Sequence, residues 1–314
     1  MGQRRKKADP LQFQRRWLAP DYWPIWALAG LMWCLAHLPW RWQMAFGAGL
    51  GRLLYHVAAD RRHVADTNMA RVFPELDDAA RRARVKAIFA ETGKGLPETC
   101  VAWFGDPRRL RVDWQVEQIE PAIQALQDGQ GALFVGAHFS CIDICGAYMG
   151  TLADFDTLHR PHNNPLLNYF QHRGRLRFVG GLVDRRDMRG MVRRLRQGRG
   201  IFYAPDQDLG RKRATAFVPF FGIPAATVEA TSRLVTLSEA KPFLVLTRRH
   251  ASGYHIRLEA APQIATGDLD TDLRAYNEWL EARIRETPEQ YLWLHKRFKT
   301  RPPGEPAFYG VKGK

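Results

Sequence analysis

The sequence predicts an α/β fold, a largely parallel sheet flanked by helices, with an N-terminal helix apolar enough to enter a membrane. Three observations carry that reading. From about residue 114 onward, short apolar runs alternate with helix-length segments, the mark of strand–helix–strand units. The 314 residues are 46% hydrophobic and 25% charged, a core-forming composition that suits one large domain or one domain plus an appendage. Six of the ten tryptophans (Trp17, Trp23, Trp26, Trp33, Trp40 and Trp42) crowd the beginning of the chain.

The first element is the 19-residue run Tyr22 to Trp40, which holds no Asp, Glu, Lys or Arg. As a helix it is about 28 Å long, close to the ~30 Å of a bilayer's hydrocarbon core. Tryptophan at both ends suits the two interfaces. Arg4-Arg5-Lys6-Lys7 and Arg15-Arg16 precede the run, and Arg41, Arg52, Arg61 and Arg62 follow it, so the cation count sets no orientation. Leu38-Pro39-Trp40-Arg41 offers no signal-peptide cleavage site. The competing reading is a buried core helix, favoured by Pro24, His37 and Pro39.

Residues 43 to 58 read as an amphipathic or small-residue helix. Its Gly47-x-Gly49-x-Gly51 is no dinucleotide fingerprint, since no strand precedes it. A helix over 77 to 92 starts at Asp77 and Asp78 and places Val85, Ile88 and Phe89 on one face. Strands are predicted at 131–137, 200–205 and 242–248, and helices at 139–151, 165–176, 187–197, 227–240 and 270–286. The expected divisions are 1–42 (basic terminus and anchor), 43–110 (helical) and 111–314 (α/β body). Sites in such sheets lie at the carboxyl ends of the strands.

Lys and Arg total 47 against 32 acidic residues, a balance of +15 that points to polyanionic partners: nucleic acid, phospholipid, a phosphorylated ligand or an acidic protein. Cys34, Cys100, Cys141 and Cys145 have neither CxxC nor zinc-finger spacing, which excludes a disulfide scaffold and a structural zinc module.

The segment that carries chemistry is Phe134-Val135-Gly136-Ala137-His138-Phe139-Ser140-Cys141-Ile142-Asp143. An apolar strand ends in a histidine and a carboxylate follows five positions later. On one helix the two side chains would point about 140° apart. With His138 at the strand's end and Asp143 in the first helical turns, the carboxylate can fold back onto the imidazole. Asp143 would then fix the tautomer and leave the other nitrogen as a general base, able to deprotonate an alcohol attacking an acyl carbonyl. The bland reading is a chance neighbour pair.

The His-x4-acid segment resembles that of glycerol-phosphate and lysophospholipid acyltransferases, and the whole chain resembles the late acyltransferases of lipid A biosynthesis. The ordered motifs include Asn68 with Phe73-Pro74-Glu75, Glu98-Thr99, Gly136-x-His138-Phe139, Arg160-Pro161, Gly174-Arg175-Leu176-Arg177 and Tyr203-Ala204-Pro205-Asp206-Gln207-Asp208. They close with Pro288-Glu289-Gln290-Tyr291 and Trp293-Leu294-His295. The resemblance implies a glycerol-phosphate acyltransferase-like fold at the bacterial inner membrane, with its catalytic domain facing the cytoplasm. It implies transfer of a fatty acyl chain, lauroyl or similar, from acyl carrier protein to a 3-hydroxyacyl group of the Kdo-bearing, phosphorylated lipid A precursor, with no cofactor and no metal. Catalytic roles then fall on His138 and Asp143, where lauroyl members often carry Glu, and supporting roles on Arg175 and Asp206. Read without the family, Arg175 is an exposed helical cation and Asp206 a turn or helix cap.

Other features point less far. His159, His162 and His172 lack a completing carboxylate or cysteine for a metal. Asn164-Pro165 reads as a helix cap with proline in the first turn. An acyl-thioester on Cys141 competes with the reading of Cys141 and Cys145 as core residues. Lys296, Arg297, Lys299 and Arg301, interleaved with Tyr291, Trp293 and Phe298, suit phosphate or membrane-surface contact. The rival functions are a glycerol-phosphate or lysophospholipid acyltransferase and a membrane-tethered nucleic-acid-binding protein. No nucleic-acid-binding signature is present, so nucleic acid is not an expected partner.

Overall fold

Where the sequence predicts a membrane helix over Tyr22 to Trp40, the chain folds a helix of only fourteen residues, and the helix predicted over 43–58 begins at Trp40. The computed structural model describes residues 12–210 and 216–310, and the Arg4–Lys7 cluster lies outside them. Helix α1 covers Trp23–Ala36 and α2 covers Trp40–Val57. Between them Pro39 takes an extended conformation (φ −55°, ψ 138°) as the cap of α2, which ends the apolar run as a single helix. Fourteen residues of helix reach only about 21 Å, short of the ~30 Å hydrocarbon core. Among the described residues no helix is long and apolar enough to cross a membrane, so the spanning anchor is corrected.

The N-terminal helices pack on the body instead. Met32, Leu35 and Ala36 of α1 join Cys100 and Val101 of α4 (Asp78–Phe104) in one apolar cluster. The glycines of α2 serve that packing. A Cβ on Gly51 would lie 2.1 Å from the carbonyl oxygen of Phe89, so only glycine permits the approach of α2 to α4. Helix α3 (Ala59–Val72), absent from the sequence reading, joins the two. Helix α4 starts where predicted, with the Asp77 carboxylate accepting from Ala80 N, but runs on through Pro97 to Phe104.

Then the α/β pattern begins: β1 (Asp113–Glu117), α5 (Glu120–Gln127), β2 (Ala132–Val135), α6 (Ile142–Met149), β3 (Phe155–His159), α7 (Pro165–Arg175), β4 (Gly181–Asp184), α8 (Met188–Arg196) and β5 (Gly200–Tyr203). A hairpin follows, β6 (Ala216–Phe220) and β7 (Ile223–Thr227), then α9 (Ala230–Ser238), β8 (Lys241–His250), β9 (Gly253–Ala260) and α10 (Leu269–Glu286). The main sheet has seven strands in the order β1-β9-β8-β2-β5-β3-β4. Its pairings are parallel except β8 with β9. The predicted α7 cap holds, since the Asn164 side chain accepts from Leu166 N and Leu167 N.

The order of strands fixes where a site can form. From β2 the chain passes through α6 to β3, crossing β5. From β5 it turns the opposite way, through the hairpin and α9, to β8 beyond β2. Ile144, Cys145 and Met149 of α6 accordingly pack with Phe134 and Phe155 on one face of the sheet. Met191, Leu195 and Leu234 of α8 and α9 pack with Leu133, Val135 and Ile201 on the other. Adjacent strands that send their chains to opposite faces leave a crevice at their carboxyl ends. Strands β2 and β5 are such a pair.

Candidate active site

His138 follows β2 and Asp206 follows β5, so the crevice brings them together across 68 positions of sequence. His138 Nδ1 lies 2.6 Å from Asp206 Oδ1, and His138 N donates to Asp206 Oδ2 at 3.0 Å. The Tyr291 hydroxyl also bonds Asp206. The Asp206 side chain is 1% exposed and that of His138 is 31%. Burial alone would raise the Asp206 carboxyl, but the His138 charge and these hydrogen bonds outweigh it and bring the pKa to about 2. Burial likewise opposes charge on His138, yet Asp206, with a smaller contribution from Asp143, raises its pKa above the usual imidazole value.

The direct His138–Asp143 bond of the sequence reading is not made. Asp143 instead accepts from Arg175 Nη2 at 3.1 Å and from Thr99 Oγ1 at 2.9 Å. The reason is geometric. Asp206 already occupies Nδ1, and Asp143 sits in the first turn of α6, held from outside by α4 and α7. His138, Asp143 and Arg175 line one cavity of about 750 Å³, with Trp103, Phe155 and Phe202 among its apolar walls.

The histidine loop is clasped from the C-terminal side. Ser140 N donates to Gln290 O, Leu292 N donates to His138 O, and Phe139 and Tyr291 form a bridge. The Gln290 amide is itself tied to β8, accepting from Arg249 N and donating to Arg249 O. Beneath the loop Arg249 makes a two-bonded ion pair with Glu98, each bond 2.7 Å, and reaches Ser140 Oγ at 3.3 Å. Glu98 also accepts from the Tyr254 hydroxyl. Burial pushes the Glu98 carboxyl up despite the Arg249 charge.

Thr99, Tyr291 and His295 stand in the motifs behind the resemblance, yet the sequence gives none of them a place beside His138. Burial lowers the His295 pKa to about 4, and its Nε2 accepts from Asp208 N. No local pattern shows what these three bond, since each meets its partner across a long loop closure.

The basic C-terminal run divides. Arg297 is 2% exposed, donating to Ala226 O and Thr227 Oγ1 and stacking over Phe220, so it is a strut of the hairpin and cannot face a phosphate or a membrane. Arg301 donates to Pro224 O and pairs with Glu305. Lys296 stands over the Tyr309 ring, and Lys299 is exposed. His159 and His172 are buried with their Nε2 atoms 2.7 Å apart. Cys141 and Cys145 are fully buried in the core cluster under α6.

A histidine and a carboxylate at a sheet's switch point, over a largely apolar cavity, are the parts of an acyl-transfer centre, and the comparisons agree on that class. The chain is 34% identical to the lipid A biosynthesis palmitoleoyltransferase of Escherichia coli (strain K12), over 95% of this chain and 98% of that one. It is 34% identical to the lauroyltransferase of the same strain at the same coverage, and 28% identical to its myristoyltransferase over 94% and 92%. The chain belongs to the bacterial lipid A biosynthesis acyltransferases, whose family model matches residues 11–300.

Proposed function

We propose that this enzyme moves a fatty acyl chain from acyl carrier protein onto a 3-hydroxyacyl group of the phosphorylated lipid A precursor, with His138 as general base. The observation that carries the proposal is the His138–Asp206 pair at the rim of the cavity. Because ionised Asp206 accepts at Nδ1, that nitrogen keeps its proton and Nε2 keeps its lone pair. Nε2 takes the hydroxyl proton as the oxygen bonds to the thioester carbon. The carbon–sulfur bond then breaks, and the departing thiolate receives the proton from the imidazolium. Asp206 stabilises the transient positive charge.

Asp143 and Arg175 act beside that step. Arg175 polarises the thioester carbonyl or holds a precursor phosphate, and Asp143, tied down by Thr99, aims the guanidinium. The +15 balance suits an acidic carrier and an anionic precursor.

The enzyme would work seated on the cytoplasmic surface of the inner membrane without crossing it. Trp42, Phe46, Leu53 and Val57 recur at helical spacing along α2 and are all exposed, while Gln43, Met44, Gly47 and Gly51 face the body. Trp23, Leu31 and Trp33 of α1 add to the exposed apolar surface. Apolar side chains of this kind, with Arg41 and Arg52 exposed beside them, suit a helix lying in the interface plane. Lys299 and Lys296 remain as contacts for lipid phosphate.

Mass spectrometry of lipid A from cells with and without the gene tests the activity. Loss of one secondary acyl chain is expected, and an unchanged lipid A would refute it.

A further inference from the structure

The catalytic cavity has two unlike ends. One gathers Arg160, Arg185 and Arg186 just past the carboxyl ends of β3 and β4, joined by the Arg175 side chain, which reaches up from the end of α7 to Leu158 O. The other runs down α6 toward the amino ends of those strands, between Ala102 and Trp103 of α4, Phe155, Phe178 and Val179, and below Asp143 its walls are apolar. Along this wall α6 presents Ile142, Asp143, Gly146 and Ala147. At its bottom the helix meets the chain before β4, since a Cβ on Gly150 would lie 2.0 Å from Phe178 O. From Asp143 to that closure the helix rises about 10 Å, and Gly146 stands nearly halfway.

Gly146 differs from the glycines around it. A Cβ built there meets no atom within 4 Å, although the residue is half-buried, in the interior of α6 and part of the cavity wall. Gly95, Gly136, Gly150 and Gly174 are each required by a neighbour under 3 Å away. Helix propensity disfavours glycine in such a position. Nothing about backbone or packing calls for it, and what its missing side chain leaves is cavity.

We propose that Gly146 sets the length of the acyl chain the enzyme transfers: the space above its Cα is occupied by the distal methylenes of the donor's chain. The inference rests on the acyl-transfer reading above. A side chain grown from this position would fill the lower half of the apolar lobe and leave the arginine end and His138 untouched. Each methylene excluded from an apolar site weakens binding about fourfold, so two excluded methylenes change the preference by roughly an order of magnitude.

The test is a set of acyl carrier protein thioesters from octanoyl to palmitoyl, offered together to the wild type and to Gly146→Ala, Gly146→Val and Gly146→Leu in membranes containing the precursor. Products are read by mass spectrometry and each variant is melted. Expected is a stepwise shift to shorter chains with side-chain size, at least tenfold in the ratio of short to long product for Gly146→Leu, with no loss in melting temperature. Should Gly146→Leu fail to fold, the Ala and Val variants carry the same reading. A folded variant whose chain-length profile matches the wild type overturns the proposal. A wild type that transfers from none of these donors would instead overturn the acyl-transfer reading itself.

Discussion

Asp206 decides the charge on His138, and the consequences run in opposite directions for activity and stability. A base must be neutral to accept a proton, so the rate should fall in acid with a midpoint above the usual imidazole value, because Asp206 raises the His138 pKa. Asp206→Asn removes that charge and leaves the burial that opposes protonation. The acid limb should move to lower pH while the plateau rate drops, a pair of changes that a misfolded variant would not give. In stability, the raised His138 contributes fully below about pH 6.5, its unfolded value, and less as pH rises through its folded pKa. The depressed Asp206 contributes above about pH 3.8, its unfolded value, and loses that contribution as pH falls toward its folded pKa of about 2. Asp206→Asn should therefore destabilise most between those limits and least in strong acid, as read by melts across pH. Cys141→Ser should leave the rate nearly unchanged, because a fully buried thiol in the core is out of reach of a thioester; a folded but inactive variant would point to an acyl-cysteine route.

At the scale of elements, the sharpest dependence is on the Glu98–Arg249 pair joining α4 to β8 beneath the histidine loop. Removing one partner leaves a buried charge uncompensated, so Arg249→Met should cost about 3–5 kcal/mol, and Arg249→Met with Glu98→Met should recover part of it. Equal melting temperatures for wild type and Arg249→Met would refute this. The sequence located the carriers of this geometry unevenly. The runs around β2, β5 and β8 were visible because each is a short apolar stretch, and α7 and α10 because their amphipathic pattern is plain. Strands β1, β3, β4 and β9 of the sheet, and both hairpin strands β6 and β7, are not legible in the sequence. Their residues, as in Phe155-Asp-Thr-Leu-His159, mix polar and apolar side chains and gain strand form from neighbours in the sheet. Nearness in sequence points to Asp143 as the partner of His138. Asp206 wins in space because β5 is the neighbour of β2, and strand order is a property of the whole chain.

For the molecule as a whole, the aromatic N-terminus was rightly seen as exceptional and wrongly seen as a spanning helix. Hydropathy counts residues, whereas α1 ends at Ala36, three residues short of Pro39, and gives Met32, Leu35 and Ala36 to the core. Trp17 is 2% exposed against Leu166 and Tyr169 of α7, and Trp40 donates to the Tyr254 hydroxyl. Deleting residues 1–42 should therefore lower the melting temperature, and it should weaken membrane binding without abolishing it, since Phe46, Leu53 and Val57 of the α2 stripe remain. The cleaner variant changes only the outer stripe. Trp42→Gln with Leu53→Gln should keep the melt and weaken partitioning onto lipid vesicles by about tenfold for each apolar side chain removed, as read by flotation. Undiminished flotation would contradict a seat on the membrane through α2.

The central claim is that a histidine at the switch point of the sheet draws the proton from the acceptor hydroxyl. The measurement closest to it is acyl transfer from acyl carrier protein to the hydroxyacylated lipid A precursor by His138→Ala, beside a melt of the same preparation. The account predicts a normal melt and a rate lower by a factor on the order of 10² to 10⁴. A His138→Ala enzyme that melts normally and keeps most of its activity would contradict it.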